Sequence, residues 1–305
     1  MTATSTSASK GPGSAEVTGF YEEDTGSIQY VVSDPATKKA ALIDVVMGFD
    51  PKAAQTDTAQ ADRILSHVRD RGLTVEWVLD THPHADHLMA SDYLRGKTGA
   101  PNAIGAKVAE IAELWRDLYH MPDAFDPERD FDRLFADGDT FHIGELPVRV
   151  MLSPGHTLGS ITYVVGDDAA FVHDTFMQPD AGTSRADFPG GSAATLYDSL
   201  QEILTLPDDT RLFVGHDYGT EDRPEPAWES TVAEQRTENK HIGGGTSRED
   251  YVERREARDR TLPLPDRMLH VLQMNLRAGR LPETEADGNR YLKIPLNRFA
   301  QEVPE

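Results

Sequence analysis

The hydrophobic pattern is empty at the start of the chain and strand-like soon after. Residues 1–15 are mostly Ser, Thr, Ala and Gly with one lysine, too polar to bury anything, and predict a disordered tail. From Val17 apolar residues crowd into short runs: Ile28-Gln29-Tyr30-Val31-Val32, a turn at Asp34-Pro35, then Ala40 to Val45. Two such runs joined by a short Pro-containing turn predict an antiparallel hairpin. Between Asp57 and Arg71 the apolar positions Ile64, Leu65 and Val68 change to helical spacing, and Gly72 stops them. Val75 to Leu79 follows as a buried strand. His87 to Leu94 is expected to be helical until Gly99-Ala100-Pro101 breaks it, and Lys107 to Tyr119 carries one apolar helical face. Turns at Asp137-Gly138-Asp139 and Ile143-Gly144-Glu145 bracket short strands, and Pro147 to Leu152 is the next strand. Ile161 to Val165 and Ala169 to Val172 predict a second hairpin, and a helix from Thr195 to Leu206 leads into a strand at Arg211 to Val214. Strands in runs, with helices between and after them, predict two packed sheets with helices outside, not a strictly alternating parallel sheet.

The last third changes rhythm. Trp228 to Lys240 reads as a polar helix and Gly243-Gly244-Gly245 as a flexible break. Ser247 caps a strongly charged helix, with Glu249 and Asp250 favourable in its first turn. Pro265 to Ala278 forms another helix, stopped by Gly279. We expect residues 16–220 to form the catalytic domain and 221–305 a helical extension packed on it.

Composition narrows the chemistry. A chain of 305 residues has core enough without disulfides, and it has no cysteine to serve as staple, metal ligand or nucleophile. No apolar run approaches the length of a membrane span and no signal peptide is recognisable, so a cytoplasmic location is expected. A net charge of −22 argues against nucleic-acid and anionic-membrane surfaces. An anionic substrate would then need a local cluster of arginines.

Against that background Thr81-His82-Pro83-His84-Ala85-Asp86-His87 stands out: three imidazoles and a carboxylate in seven residues, leaving a strand end on a short turn. The donor set suits zinc, iron, nickel or copper, with zinc and iron foremost. Three further candidates also follow strand-like runs: His156 in Ser153-Pro154-Gly155-His156-Thr157, Asp174 after His173, and His216 in Gly215-His216-Asp217. The Met and aromatic positions Trp115, Met268 and Met274 read as core, and His67, His120, His142, His241 and His270 receive no chemical role.

The order H-x-H-x-D-H, then His, Asp and His, resembles the metallo-β-lactamase superfamily, from about Val17 to Tyr218. That resemblance implies an α/β (α+β) αββα sandwich with its site at one sheet edge. The stretches at Ser153–Thr157, Arg185-Ala186-Asp187-Phe188, Thr195-Leu196-Tyr197 and Gly215–Tyr218 are similar to persulfide dioxygenases. Residues 275–282 and 291–297 resemble a bacterial branch of β-lactamase-like hydrolases. His173 departs from the family, which usually has glycine before the aspartate. The resemblance implies one Fe(2+) per chain held by His82, His156 and Asp174. His84, Asp86, His87 and His216 would orient those ligands or hold a second metal. It implies oxidation of glutathione persulfide, or a similar low-molecular-weight persulfide, by dioxygen to sulfite and thiol. The rival is a glyoxalase II-type hydrolase with two Zn2+ cleaving glutathione thioesters. Arg185 and Arg277 are expected to bind the substrate's carboxylates, with Arg280, Lys293 and Arg298 nearby, and Tyr197 and Tyr218 to donate hydrogen bonds. Expected partners are glutathione persulfide and dioxygen, a second copy of the chain as a homodimer, and a separate sulfurtransferase; neither nucleic acid nor membrane is expected.

Overall fold

The strand from Ser27 to Asp34 shows how the layers arise. Ile28, Tyr30 and Val32 alternate into one core while Val31 enters another, so both faces of this strand are covered. The computed structural model describes residues 3–299. In chain order β1 (Thr4–Ser7), β2 (Glu16–Glu22), β3 (Ser27–Asp34), β4 (Lys39–Ile43), β5 (Val46–Asp50), β6 (Gln55–Asp57), α1 (Ala59–Asp70) and β7 (Thr74–Leu79) lead to the histidine-rich stretch. After it come β8 (Leu88–Met89), α2 (Ser91–Thr98), β9 (Asn102–Gly105), α3 (Val108–Tyr119), α4 (Pro127–Asp130), β10 (Arg133–Phe135), β11 (Thr140–Ile143) and β12 (Leu146–Leu152). The rest comprises β13 (Ile161–Val165), β14 (Ala169–His173), α5 (Ala193–Ile203), β15 (Arg211–Val214), β16 (Glu229–Thr231), α6 (Val232–Glu238), α7 (Arg248–Asp259) and α8 (Met268–Asn275). No helix among the described residues is long and apolar enough to cross a membrane.

Seven strands in the order β1-β2-β3-β4-β7-β9-β10 make one sheet, and six in the order β11 to β16 make the other, with β6-β5-β8 a small third. Ile28, Tyr30, Ile43 and Leu79 meet Val148, Tyr163, Phe171 and Phe213 between the two large sheets. Tyr30 touches Phe171 and Phe213 edge-on, with centroids at 5.2 and 5.7 Å, and its hydroxyl donates to the Val214 carbonyl at 2.5 Å. Ala61, Ile64 and Val68 of α1 cover Val31 and Leu42 on one outer face, while Leu196, Leu200 and Ile203 of α5 pack on the second sheet. The α/β class and the two-sheet arrangement with helices outside are therefore both present. Trp115, Met268 and Met274 are buried core residues, as expected.

The sheets are joined along the edge that carries the chemistry. The Ile161 N–H donates to Thr81 across one seam, and the Ile28 N–H to Gly215 across the other. Parallel pairing of β4 with β7, and of β14 with β15, brings the C-terminal ends of these strands to that edge.

Several expectations are corrected. The stretch expected to be a disordered tail is ordered from Ala3, Met1 and Thr2 lying outside the described residues. β1 pairs antiparallel with β2, and buried Arg211 donates to Ser7 Oγ at 2.9 Å, Ser14 Oγ at 3.2 Å and the Ala15 carbonyl at 3.0 Å. Order here comes from backbone pairing and one guanidinium, which an apolar pattern cannot reveal. His87 to Leu94 is not one helix, because Leu88 and Met89 pair with β5 before α2 begins. Trp228 to Lys240 is not one helix either: Trp228 enters the inter-sheet core, β16 pairs with β15, and a Thr231–Glu234 capping box opens α6. Gly243–Gly245 forms a single 3₁₀ turn. Ser247 caps α7 by accepting from the Asp250 N–H, and α8 is shorter than expected. Residues 300–305 of the expected C-terminal extension lie outside the described residues.

Arg211 also pairs with Asp168, at 3.0 Å, and is the buried partner; Lys10 approaches the same carboxylate from solvent at 3.6 Å. Removing Arg211 leaves a largely buried charge uncompensated, at a cost of about 3–5 kcal/mol. Arg211→Ala is therefore expected to lower the urea unfolding free energy by about 3 kcal/mol or more. It should also expose the first fifteen residues to protease. Lys10→Ala should change stability by under about 1 kcal/mol.

Candidate metal centre

The histidine-rich turn leaves β7 under tight backbone control. Asp44, held at φ 50, accepts the Thr81 N–H and hydroxyl, each at 2.8 Å. Thr81 Oγ1 in turn lies 3.0 Å from His82 Nδ1, which leaves Nε2 facing the site. His156 arrives on the turn after β12. Gly155 before it has φ +128, and a Cβ there would stand 2.3 Å from Leu196 Cα, so the turn passes α5 only without a side chain. His156 Nδ1 lies 2.8 Å from the Arg185 carbonyl, which again leaves Nε2 for the site. Asp174 follows β14, and His216 follows β15.

These elements gather two groups of donors. His82 Nε2 and His156 Nε2 stand 3.6 and 3.4 Å from the same oxygen, Asp174 Oδ2, spacings that suit a shared cation with bonds of about 2.1 Å. His84, Asp86 and His87 form the second group able to hold an ion. Its members have other polar neighbours: His84 Nε2 lies 3.2 Å from Asp44 Oδ1, and Asp86 Oδ2 lies 2.7 Å from His216 Nε2 and 3.2 Å from His87 Nδ1. His216 Nδ1 reaches the first group, 2.6 Å from Asp174 Oδ1. Only His87 Nε2 and the ring nitrogens of His84 are buried there without a hydrogen bond.

The electrostatics divide the same way. Burial, reinforced by His84 and His156, holds the pKa of His82 well below the usual imidazole range, and burial also lowers that of His156. Both are therefore neutral ligands in waiting. Burial would raise the Asp174 carboxyl, but the charge of His216 outweighs it and keeps the group ionised. Burial works against charge on His216 and His84 too, yet Asp174 and Asp86 drive the first upward and Asp44 the second.

His173 does not point to solvent. It is buried at a bulge with φ 41, a backbone conformation that glycine adopts freely and other residues seldom do. Its Nε2 lies 3.0 Å from Ser153 Oγ and 2.8 Å from Thr175 Oγ1, and its ring packs 5.3 Å from that of His82. Burial lowers its pKa to about 3, so it is a neutral wedge beside the ligands.

A cleft of about 640 Å³ opens over Asp86, His156, Asp174 and His216, a size that suits a small organic substrate. Two of the four expected substrate residues line it. Arg185 is there, but its guanidinium is engaged by Asp187 at 2.6 and 2.8 Å and by the Pro263 carbonyl at 2.6 Å. Tyr218 is there with its ring stacked on His216 at 6.0 Å. The other two lie elsewhere. Tyr197 donates to the Thr246 carbonyl at 2.9 Å and packs on Tyr251. Arg277 lies over the Phe125 ring at 5.2 Å. Arg280 pairs with Asp130, and Lys293 donates to the His120 carbonyl, so the expected C-terminal cationic cluster does not face the cleft.

Besides Arg185 and the buried Arg255, which pairs with Asp259, the cations that face it carry no signal in the sequence: Lys240, just after α6, and Arg258 on α7. Both are exposed, and among the described residues neither makes a salt bridge. His241, expected to have no chemical role, also lines the cleft and accepts the Thr183 N–H at 2.9 Å. Asn275 is a further residue that the pattern does not mark. Fully buried at the end of α8, it donates through Nδ2 to the carbonyls of His84 at 2.7 Å and His87 at 2.8 Å, and its Oδ1 accepts the Met89 N–H at 2.9 Å. Gly279 follows at φ +80, where a Cβ would strike the Met89 carbonyl at 1.9 Å.

Residues 26–216 match the model of the Metallo-beta-lactamase superfamily. The chain is 57% identical over 281 residues to a Beta-lactamase hydrolase-like protein of Xylella fastidiosa, covering 92% of this chain and 64% of that relative's length. It is 39% identical to Glyoxylase B2 of Dictyostelium discoideum (94% of this chain, 99% of the relative). It is 29% identical to the mitochondrial Persulfide dioxygenase ETHE1 of Homo sapiens (85% and 87%). The crystal structure of ETHE1 from Myxococcus xanthus superimposes with a TM-score of 0.68 at 31% identity, over 86% of this chain and 98% of that one.

Asn275→Ala would leave two carbonyls and an N–H of the ligand turn buried without partners. It is expected to cost about 1–3 kcal/mol of stability and to weaken metal affinity roughly tenfold or more, measured by competition with a chelator. An unchanged affinity would show that the turn holds its shape without this amide.

Proposed function

The chain belongs to the metallo-β-lactamase superfamily, and on that premise we propose that it is a persulfide dioxygenase. It would take glutathione persulfide, or a similar low-molecular-weight persulfide, with dioxygen and water to the thiol and sulfite. The S–S bond breaks, the sulfur pair loses the electrons that dioxygen gains, and the protons leave to solvent. The observation that carries this reading is the unequal state of the two donor groups. His82, His156 and Asp174 converge, with the far nitrogen of each imidazole anchored, whereas in the second group Asp86 is bound up with His216 and His84 merely faces Asp44 at 3.2 Å without a hydrogen bond.

Two histidines and one carboxylate are the donor set of oxygen-activating iron sites, and a bound iron would supply the redox change and open positions for both reactants. The chain's own residues do the rest. Thr81 and the Arg185 carbonyl orient the two imidazoles, and His216 holds Asp174 ionised. Tyr218 shields the floor of the cleft. Lys240 and Arg258 offer a cationic wall to the carboxylates of glutathione, in a chain whose net charge of −22 would otherwise repel them.

The rival reading, a two-zinc thioester hydrolase, is favoured by the ring nitrogens of His84 and the Nε2 of His87, all buried without a hydrogen bond, and by the likeness to Glyoxylase B2. Metal analysis with substrate assays separates them. About one iron per chain and oxygen uptake with glutathione persulfide is expected; two zincs and thioester cleavage without uptake would replace the proposal by its rival. Asp174→Ala is expected to abolish iron retention while the fold persists by circular dichroism. The pair Lys240→Ala and Arg258→Ala is expected to raise KM for glutathione persulfide by about tenfold or more with kcat little changed, since each removes charge-assisted contacts made equally before and during reaction.

A further inference from the structure

Beside the cleft lies a second, smaller cavity, with room of about 20 Å³ for the centre of a water-sized guest. It shares Ala85, His156 and Phe188 with the cleft, so one metal-ligand candidate forms part of both walls. The remaining wall is built by Pro83, Ile111, Trp115, Pro189 and Leu272, with Thr157. No carboxylate, ammonium or guanidinium lines it. Its size suffices for one small molecule, but a trapped water needs two to four polar partners. Here Thr157 Oγ1 already pairs with Ser160 Oγ at 2.6 Å and His156 Nδ1 lies 2.8 Å from the Arg185 carbonyl, so few side-chain polar groups remain to hold a water. A wall so largely apolar favours a small apolar guest over water.

The partition between the two cavities is itself constructed. Phe188 meets the His156 ring edge-on at 5.3 Å, and the Arg185 guanidinium lies over Phe188 at 4.9 Å, fixed there by Asp187 and the Pro263 carbonyl. Arg185, unavailable to a substrate carboxylate, thereby acts as the brace of an apolar partition. A polar, charged thiol derivative has no place behind it; a small uncharged gas does.

We propose that this chamber is a dioxygen site: it holds the gas against His156 and delivers it to the metal ligands past Ala85 and Phe188, while the persulfide arrives through the cationic cleft. This rests on the dioxygenase reading above. A seat beside the cleft, and not in it, lets one reactant be bound without blocking the other.

Xenon, an apolar stand-in for dioxygen, tests the chamber without any turnover. Crystals of the full chain pressurised with xenon are expected to show it between Ile111, Trp115 and Leu272; its absence there would overturn the proposal. Ile111→Phe is expected to fill the chamber, abolish the xenon peak and raise KM for dioxygen by roughly tenfold, with KM for the persulfide unchanged. Leu272→Phe fills the same space from α8 and serves if the first variant does not fold. A filled chamber with an unaltered KM for dioxygen would also overturn it. Xenon binding with no oxygen uptake from any persulfide would bring down the dioxygenase reading, and dioxygen as the guest with it, whereas uptake without xenon binding would bring down the chamber alone.

Discussion

Ionised carboxylates do not survive inside a protein unless something compensates for their lost water, and here that compensation organises the whole sheet edge. Asp44 and Asp174 are buried, and Asp86 is only partly open to solvent. Each has an imidazole against it: Asp44 has His84, Asp86 has His216 and His87, and Asp174 has His216. Breaking a buried pair costs several kcal/mol, enough to unseat the loops that carry it. The strands therefore have to end where these charges can meet, and the seams at Thr81 and Gly215 keep the two sheets in that relation.

The same balance of burial and charge separates the side chains by role. Burial holds His82 and His156 neutral, helped at His82 by the neighbouring His84 and His156 rings, and a neutral imidazole can donate a lone pair to a metal. At His84 and His216 the carboxylates outweigh burial, Asp44 for the first and Asp174 with Asp86 for the second, and bias the ring towards the charged form. The C-terminal third is no mere appendage to this centre. Asn275 grips the ligand turn from beneath, α7 anchors the loop at Ala186 through Asp259, and Arg258 and Lys240 charge the mouth of the cleft.

Much of the fold is legible in the sequence because the relevant strands alternate or run apolar and are stopped by Gly, Pro or Asp, as at β3, β4, β7 and β12. The donors are legible for a different reason: histidine is scarce, and metal binding is the chemistry that most needs it clustered beside strand ends. What escapes is whatever depends on distant partners. β1 is ordered by a guanidinium some two hundred residues away, and β16 by pairing with β15 under a buried Trp228. Sequence also conveys charge without depth. Arg277 and Arg258 look alike on paper, yet one lies on Phe125 and the other faces the cleft. Tyr197 is a similar case, because its hydroxyl is engaged by the backbone of Thr246 and not by a substrate. Asn275 lies within a stretch that resembles the bacterial branch, but nothing local discloses which carbonyls it meets.

The clamp formed by Asn275 carries a consequence for the order in which the molecule is completed. The amide lies 191 positions beyond His84 and 188 beyond His87, and chains are made from the N-terminus. A nascent chain thus presents its whole histidine-rich turn long before the group that shapes it exists. Until α8 docks, the His84 and His87 carbonyls and the Met89 N–H lack the partner that Asn275 provides. The turn thus takes its final shape from a residue made well after the donors it carries.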